Sequence, residues 1–356
     1  MNRLPNLDPL RFFLASFVLL FHLPQLSANQ GLPYFDSLPI FHRGLEAVYM
    51  FFVLSGFLII RLIYRAKIRN AFSIKDFYIR RILRIFPLYY LVLIFGLLFY
   101  NTLLPFLNIP FEINYTWEEA LFYNVFFLPN VFAKIYEPGG ILEILWSIGI
   151  EEQFYLVIAP LLFFINVKWI LRVLSLLLLG YFILYWSDVF EVLRKYTFVF
   201  FYLFSGGVIA ILEEKKKLEF LKRSAVFPII ISIASLLYFA TDWFMFEPMW
   251  LRALFTCFLF GFFIHSLAFN NRGVEVNNKI LHHFGSISYG IYMFHAIVLN
   301  AVVFLFLKLE FLQNLNETLT IFLLHLLTFA GTLLIAHLSY TYFELYFLKL
   351  KNKFRK

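Results

Sequence analysis

Residues Leu10–Leu26 read LRFFLASFVLLFHLPQL, an apolar run in which Arg11 and His22 are the only ionisable groups. The run has the length of a short membrane-spanning helix. Placing a charge in the hydrocarbon costs roughly 2.5–3.5 kcal/mol even on the lenient insertion scale, so such residues are usually retained for function. At about 100° per residue, the eleven steps from Arg11 to His22 return to nearly the same helix face after a rise of roughly 16 Å. One face of the first helix therefore carries a cation near one membrane surface and an imidazole toward the other. Asp8 stands one turn before Arg11, where it can pair with it.

The rest of the chain extends this reading. Of 356 residues, 62% are hydrophobic and 15% charged, against the roughly 25% charged of a soluble domain. Apolar runs recur from end to end with no soluble block between them. The sequence thus predicts an all-α integral membrane protein, with residues 1–356 as one membrane-embedded domain. Ten helices are expected near 8–27, 44–63, 83–106, 144–166, 170–187, 196–212, 225–241, 250–268, 284–307 and 318–343. Segment 116–140 is too polar for a span and reads as an interfacial or re-entrant piece on the outer side. No internal repeat of the kind found in many carriers is visible. Arg3 before the first apolar run and Ala28 after it imitate a secretory leader, but Asp8, Arg11 and His22 would spoil its apolar region, so an uncleaved first helix is expected. The single cysteine, Cys257, excludes an intrachain disulfide.

The net charge of +8 is explained by where the cations fall. Of 30 Lys and Arg residues, only Arg43, Lys134, Arg194, Lys195, Arg252 and Lys308 lie on the side opposite the termini, leaving 24 on the terminal side. That asymmetry predicts cytoplasmic termini. The excess is a topology signal and calls for no nucleic-acid partner. Arg11 then sits near the cytoplasm and His22 toward the outer face.

Several further stretches place polar groups inside apolar helices. Gly44-Leu45-Glu46 opens the second helix at a depth similar to His22, and Ser55-Gly56 follows farther down. Glu46 could orient an imidazole or bind a polar substrate, or simply end a helix at the interface. Lys75 to Arg84 is the densest basic patch. Arg81 and Arg84, one turn apart at the expected helix start, suit a phosphate group through guanidinium forks and free backbone N–H groups. The plainer alternative is a topology anchor or a lipid-headgroup contact. Trp146-Ser147-Ile148-Gly149-Ile150-Glu151-Glu152 carries Ser147, Glu151 and Tyr155 on one face, and its adjacent carboxylates cannot both face lipid. The bland alternative there is an ion pair with an arginine. In Ser288-Tyr289-Gly290-Ile291-Tyr292-Met293-Phe294-His295, the residues Ser288, Tyr292 and His295 share a face, and His295 reads equally as a catalyst or a hydrogen-bonded packing residue. Glu344, with Ser339 and Tyr340, ends the tenth helix. His42, His265, His282, His283, His325 and His337 show no metal-ligand spacing, so no metal site is expected.

Taken in order, these stretches resemble the membrane-bound acyltransferase 3 family, whose members O-acylate bacterial surface glycans. The likeness is carried by Leu7-Asp8-Pro9-Leu10-Arg11 with His22, Gly44-Leu45-Glu46 through Phe57, Arg80-Arg81-Ile82-Leu83-Arg84-Ile85-Phe86-Pro87, Trp146-Ser147 through Tyr155, Ser288 through His295, and Ser339-Tyr340 with Glu344. Two residues depart from the pattern: Glu46 stands where the family usually has aspartate, and Phe12 where a small residue often follows the arginine. The added soluble domain of some relatives is not expected after the last helix.

The resemblance implies a multi-pass protein of the bacterial inner (cytoplasmic) membrane that moves an acyl group, with acetyl expected, from cytoplasmic acyl-CoA to a hydroxyl of an extracytoplasmic glycan or lipid-linked saccharide. His22 would act as general base or transient acyl carrier, with Glu46 or Glu151 supporting it. Asp8, Arg11, Arg81 and Arg84 would bind the donor, while Trp146, Ser147, Tyr155, Ser288, Tyr292 and His295 would line the substrate cavity. Acyl-CoA is a co-substrate in this reading, and membrane lipids are the remaining partner. The sequence sets no oligomeric state. The alternative from another class is a proton-coupled transporter or flippase, since intramembrane Arg, His and Glu suit one equally. A purely structural subunit would leave the buried polar stripes unexplained.

Overall fold

The computed structural model describes residues 4–269 and 276–351. Arg3, Arg272, Lys353, Arg355 and Lys356, counted above among the terminal-side cations, lie outside the described residues. The principal helices are α1 (Leu7–Asn29), α2 (Gly44–Ile68), α3 (Ile74–Leu98), α4 (Trp117–Val125), α5 (Pro129–Tyr136), α6 (Gly140–Phe164) and α7 (Ile170–Trp186). They continue with α8 (Phe200–Glu214), α9 (Val226–Ala240), α10 (Met249–Phe269), α11 (Lys279–Ser286), α12 (Ser288–Lys308) and α13 (Glu317–Ser339). The last runs through a wide π-type turn, Tyr340–Glu344, into Leu345–Lys351. The described residues contain no strand.

Eight helices among the described residues are long and apolar enough to cross a membrane, or nine if the bent pair Asp188–Lys195 with Phe200–Glu214 is one span. The chain is an all-α, multi-span membrane protein. The expected count of ten is reduced because α9 has only 15 residues, short of the roughly 20 a straight crossing needs. Two boundaries also move. The third helix begins at Ile74, not 83, because Ser73 caps it by accepting the Asp76 N–H at 3.2 Å. The expected ninth helix is two, α11 and α12, broken at Ile287. Segment 116–140 forms α4 and α5. Thr116 and Glu119 make a reciprocal capping box at the start of α4. The Thr116 N–H and then the Tyr136 hydroxyl hold the Glu119 carboxyl below the usual carboxylate range, and the same contact pushes Tyr136 up to about 12.

The chain divides into two compact units. The first comprises Met1–Leu54 and Leu212–Thr341, the second Ser55–Ile211 and Tyr342–Lys356. In the first, α1, α12 and α13 share a core of Leu19, Leu23, Val298, Leu299, Val302, Val303, Phe306 and Leu324. Neighbouring layers add Ala15, Ile287, Ile291 and Ala336. α1 buries Leu14, Val18 and Leu19 at its i, i+4, i+5 positions and leaves Phe13 on the outer side. Asn6 ties the start of α1 in place, donating to the Leu267 carbonyl at 3.2 Å and accepting the Val276 N–H at 2.8 Å.

Gly285 marks a close approach in this unit, since a Cβ there would fall on the backbone carbonyl of Asp8. Gly285→Val is therefore expected to force α11 off α1 and cost about 1–3 kcal/mol. Gly180→Ala, with nothing within 4 Å of the new methyl, should be neutral or stabilising by up to about 1 kcal/mol. Thermal unfolding of both variants in nanodiscs checks this contrast.

In the second unit, Gly56 lets α2 rest against the Leu203 carbonyl of α8, and Gly149 lets α6 rest on Pro129. The Tyr89 hydroxyl donates to the Asn124 carbonyl at 3.0 Å. Lys67 donates to the carbonyls of Leu162, Phe163 and Ile165, closing the C-terminal end of α6 with a cation where the helix dipole is negative. Leu345–Lys351 packs on α3.

Candidate active site

The candidate residues sort into the two units. Asp8, Arg11, His22, Glu46, Ser288, Tyr292 and His295 belong to the first, whereas Arg81, Arg84, Trp146, Ser147, Glu151 and Tyr155 belong to the second.

In the first unit, the packing of α1 on α12 sets His22 against His295. The two rings stack with centroids 5.2 Å apart and planes 21° from parallel. The Phe21 ring lies 5.0 Å from that of His22, tilted by 47°. His295 is 1% exposed, and its Nδ1 meets the Tyr292 carbonyl one turn back on α12. A carbonyl oxygen can only accept, so Nδ1 carries the hydrogen and Nε2 presents its lone pair. That Nε2 is buried and has no hydrogen-bond partner. Ser288 and Tyr292 are buried on the same helix, and the Tyr292 ring lies 5.7 Å from that of His295. A stacked imidazole pair with a basic nitrogen available can accept a proton from a hydroxyl.

Toward the start of α1, Arg11 Nη1 meets Asp8 Oδ1 at 2.6 Å. His282 of α11, which the sequence did not single out, lies 3.8 Å from the other Asp8 oxygen. Glu46 has Arg43 and Arg252 as charged neighbours, and its Oε2 is buried without a hydrogen-bond partner. Arg43 is itself buried, donating to the carbonyls of Tyr238 at 3.3 Å and Thr241 at 3.0 Å and pairing with Asp242. A second buried histidine also escaped the sequence. His265 on α10 contacts Glu213 at 2.9 Å, and the other Glu213 oxygen takes Lys222 at 2.8 Å. No local motif marks this triad, because its partners are 52 and 9 residues from Glu213.

In the second unit, Tyr155 donates to Glu151 at 2.8 Å across one turn of α6 and is hydrogen-bonded to Ser55 of α2. Glu152 is 4% exposed, and its Oε1 finds no hydrogen-bond partner. Arg81 has Tyr155, Glu152 and Glu151 in its electrostatic surroundings, and Arg84 also acts on Glu151. Its guanidinium lies 5.8 Å from the ring centroids of both Phe77 and Tyr155. Ser147 is buried and Trp146 half-buried on α6.

One expectation is corrected here. Because α3 starts at Ile74, Arg81 and Arg84 lie in its third turn, where backbone N–H groups are already used within the helix. No free amides stand beside them to hold a phosphate. The two arginines also differ in setting, with Arg81 half-buried and Arg84 exposed. Among the described residues, no group of three or more His, Cys, Asp and Glu side chains is placed to hold a metal ion.

Helices of this kind, with polar groups turned inward, define a membrane-embedded enzyme or carrier, and comparison with known proteins selects the enzyme class. The acyltransferase domain model of the acyltransferase 3 family matches residues 4–337, and the chain belongs to that family. It is 29% identical over 163 residues to the putative peptidoglycan O-acetyltransferase YrhL of Bacillus subtilis, covering 43% of this chain and 23% of the relative. To the peptidoglycan O-acetyltransferase OatA of Listeria monocytogenes it is 31% identical over 176 residues, covering 47% and 25%. An uncharacterised Haemophilus influenzae protein is 34% identical over 124 residues, covering 33% and 49%. The chain thus matches about a quarter of the length of the two peptidoglycan relatives. No solved structure matches it.

Proposed function

We propose that this chain is an O-acyltransferase that moves an acetyl group from cytoplasmic acyl-CoA to a hydroxyl of an extracytoplasmic glycan. It would act as one membrane-embedded domain of the bacterial inner membrane with both termini in the cytoplasm. The family match supports transfer, and the relatives' names support a cell-wall glycan as acceptor. The observation that carries the chemistry is the stacked His22–His295 pair between α1 and α12.

In this reading the acceptor hydroxyl attacks the thioester carbonyl carbon, forming the O–C ester bond as the C–S bond breaks. His22 takes the hydroxyl proton and delivers it to the departing sulfur, so that coenzyme A leaves as the thiol. In the covalent variant, His22 nitrogen first attacks the thioester carbon as the C–S bond breaks and the ring proton follows to the sulfur. The sugar hydroxyl then displaces the imidazole and returns its proton to the ring. His295 fixes the plane of the His22 ring and, through Nε2, offers a second place for the proton. Arg11, held by Asp8 near His282, lines the donor's path, and exposed Arg84 meets its phosphates. Arg81 instead balances Glu151 and Glu152, so those carboxylates act as a support for α2, α3 and α6. Glu46, among Arg43 and Arg252, anchors the opposite end of the first unit.

The test uses membranes expressing the chain, supplied with acetyl-labelled acetyl-CoA and their native glycan. Free thiol and labelled glycan should appear together, in equal amounts. A carrier would move its cargo while releasing no thiol, and that result would overturn the proposal.

A further inference from the structure

Beyond His22, α1 continues for two turns and then turns back through residues 30–43, leaving a cleft of about 430 Å³ in the first unit. That volume falls within the roughly 300–1,000 Å³ typical of small-molecule sites. Its polar lining is Gln25, Asn29, Asp36 and His42, and its aromatic lining includes Tyr34 and Phe41. Gln25 and Asn29 lie three and seven residues after His22, on the same face of α1. Phe21 lines the cleft while its ring contacts that of His22. The near wall is therefore about 5 Å along the helix axis from the proposed base.

The cleft is held in shape by its own contacts. His42 Nε2 donates to the Asp36 carbonyl at 2.9 Å, closing the loop on itself. Phe41 is gripped edge-on by Phe35 at 5.8 Å and by His325 of α13 at 5.8 Å. Tyr34, 48% exposed, presents its ring and hydroxyl at the rim.

The lining also narrows the ligand's chemistry. It holds one carboxylate and no lysine or arginine, which disfavours phosphates and anionic headgroups. Flat amides and a carboxylate make paired hydrogen bonds with neighbouring hydroxyls, and aromatic faces cover the apolar C–H faces of a ring. Together these are the groups that bind an uncharged saccharide.

We propose that this cleft is the acceptor subsite, holding an uncharged sugar ring so that its hydroxyl meets His22. The proposal rests on the transfer reading given above. Asp36 and Asn29 would bind ring hydroxyls, Tyr34 and Phe41 would cover the ring face, and the acyl donor would not touch these residues.

The experiment follows binding and transfer separately. Saturation-transfer NMR with chitotetraose as probe is run on the full chain in nanodiscs, free of sugar-headed detergents, alongside thiol release from acetyl-CoA in membranes. Wild type should bind chitotetraose saturably. Tyr34→Ala and Asp36→Asn should weaken that binding at least tenfold, and raise the apparent KM for glycan with the KM for acetyl-CoA unchanged. Both positions are outside the core, and an unchanged melting temperature identifies a folded variant. Equal binding by wild type and both variants, or no saturable binding by wild type, overturns the subsite. If binding follows the expected pattern but no thiol is released, the subsite stands and the transfer reading fails.

Discussion

His22→Ala should abolish acyl transfer in practice, lowering it 10²–10⁴-fold, the range that a positioned general base contributes. The expectation comes from placement. His22 stacks on His295, with the Phe21 ring tilted against it, and alanine leaves nothing at that point of α1 to accept a proton. Thiol release and label transfer should fall together at equal protein level. His295→Phe separates the two parts of the pair. It keeps a flat ring against His22 but removes Nε2, so a loss within about tenfold assigns His295 to positioning. A loss as deep as that of His22→Ala makes Nε2 a second proton acceptor in the reaction. Single-turnover labelling without glycan distinguishes the two roles of His22: label retained on wild type, and absent from His22→Ala, identifies an acyl-imidazole.

The second large effect is expected at Arg81 and falls on stability. Removing its guanidinium takes the cationic neighbour from Glu152 and leaves Glu151 with Arg84 alone. Withdrawing that neighbouring positive charge from two buried carboxylates should cost about 1–3 kcal/mol, the range for a buried polar group left uncompensated. Arg81→Ala should therefore unfold at markedly lower temperature in nanodiscs, and Glu152→Gln in the same chain should restore part of the loss, because the two changes share one electrostatic group. Exposed Arg84 should behave differently: Arg84→Ala melts like wild type and raises the KM for acetyl-CoA several-fold. If both alanine variants raised that KM and neither changed the melting temperature, the two arginines would form the phosphate clamp that their spacing first suggested.

That contrast shows where reading the sequence succeeds and where it stops. Span-length apolar runs are legible because bilayer thickness sets a length that few other constraints imitate, and α1, α2, α10 and α12 lie close to their expected positions. The start of α3 was missed because its first turns are charged, and hydropathy counts charge as loop. Ser73-x-x-Asp76 was the available signal, a capping pattern that outranks charge. The break at Ile287 has no local marker. It lies two residues after Gly285, which rests against the Asp8 backbone 277 positions away in sequence.

The same distinction applies to the site. Spacing alone put Ser147, Glu151 and Tyr155 on one face, and Ser288, Tyr292 and His295 on another. Helical period governs relations within one helix, so such groups can be read directly. Pairings between helices cannot. The stack of His22 on His295, the approach of His282 to Asp8 and the Glu213–His265–Lys222 group depend on which helices meet, and no single-sequence periodicity encodes that. Arg81 and Arg84 looked equivalent for this reason, although Arg81 is half-buried and Arg84 exposed.

The hydrogen bond from His295 to the Tyr292 carbonyl reaches back three residues along a single helix. The form of the ring is thus settled by α12 alone, before any neighbour is in place. A chain delivered to the bilayer segment by segment would bring this histidine in already primed, with its open nitrogen selected during synthesis. Assembly has only to bring His22 alongside, so readiness for reaction is a matter of docking two prefabricated parts.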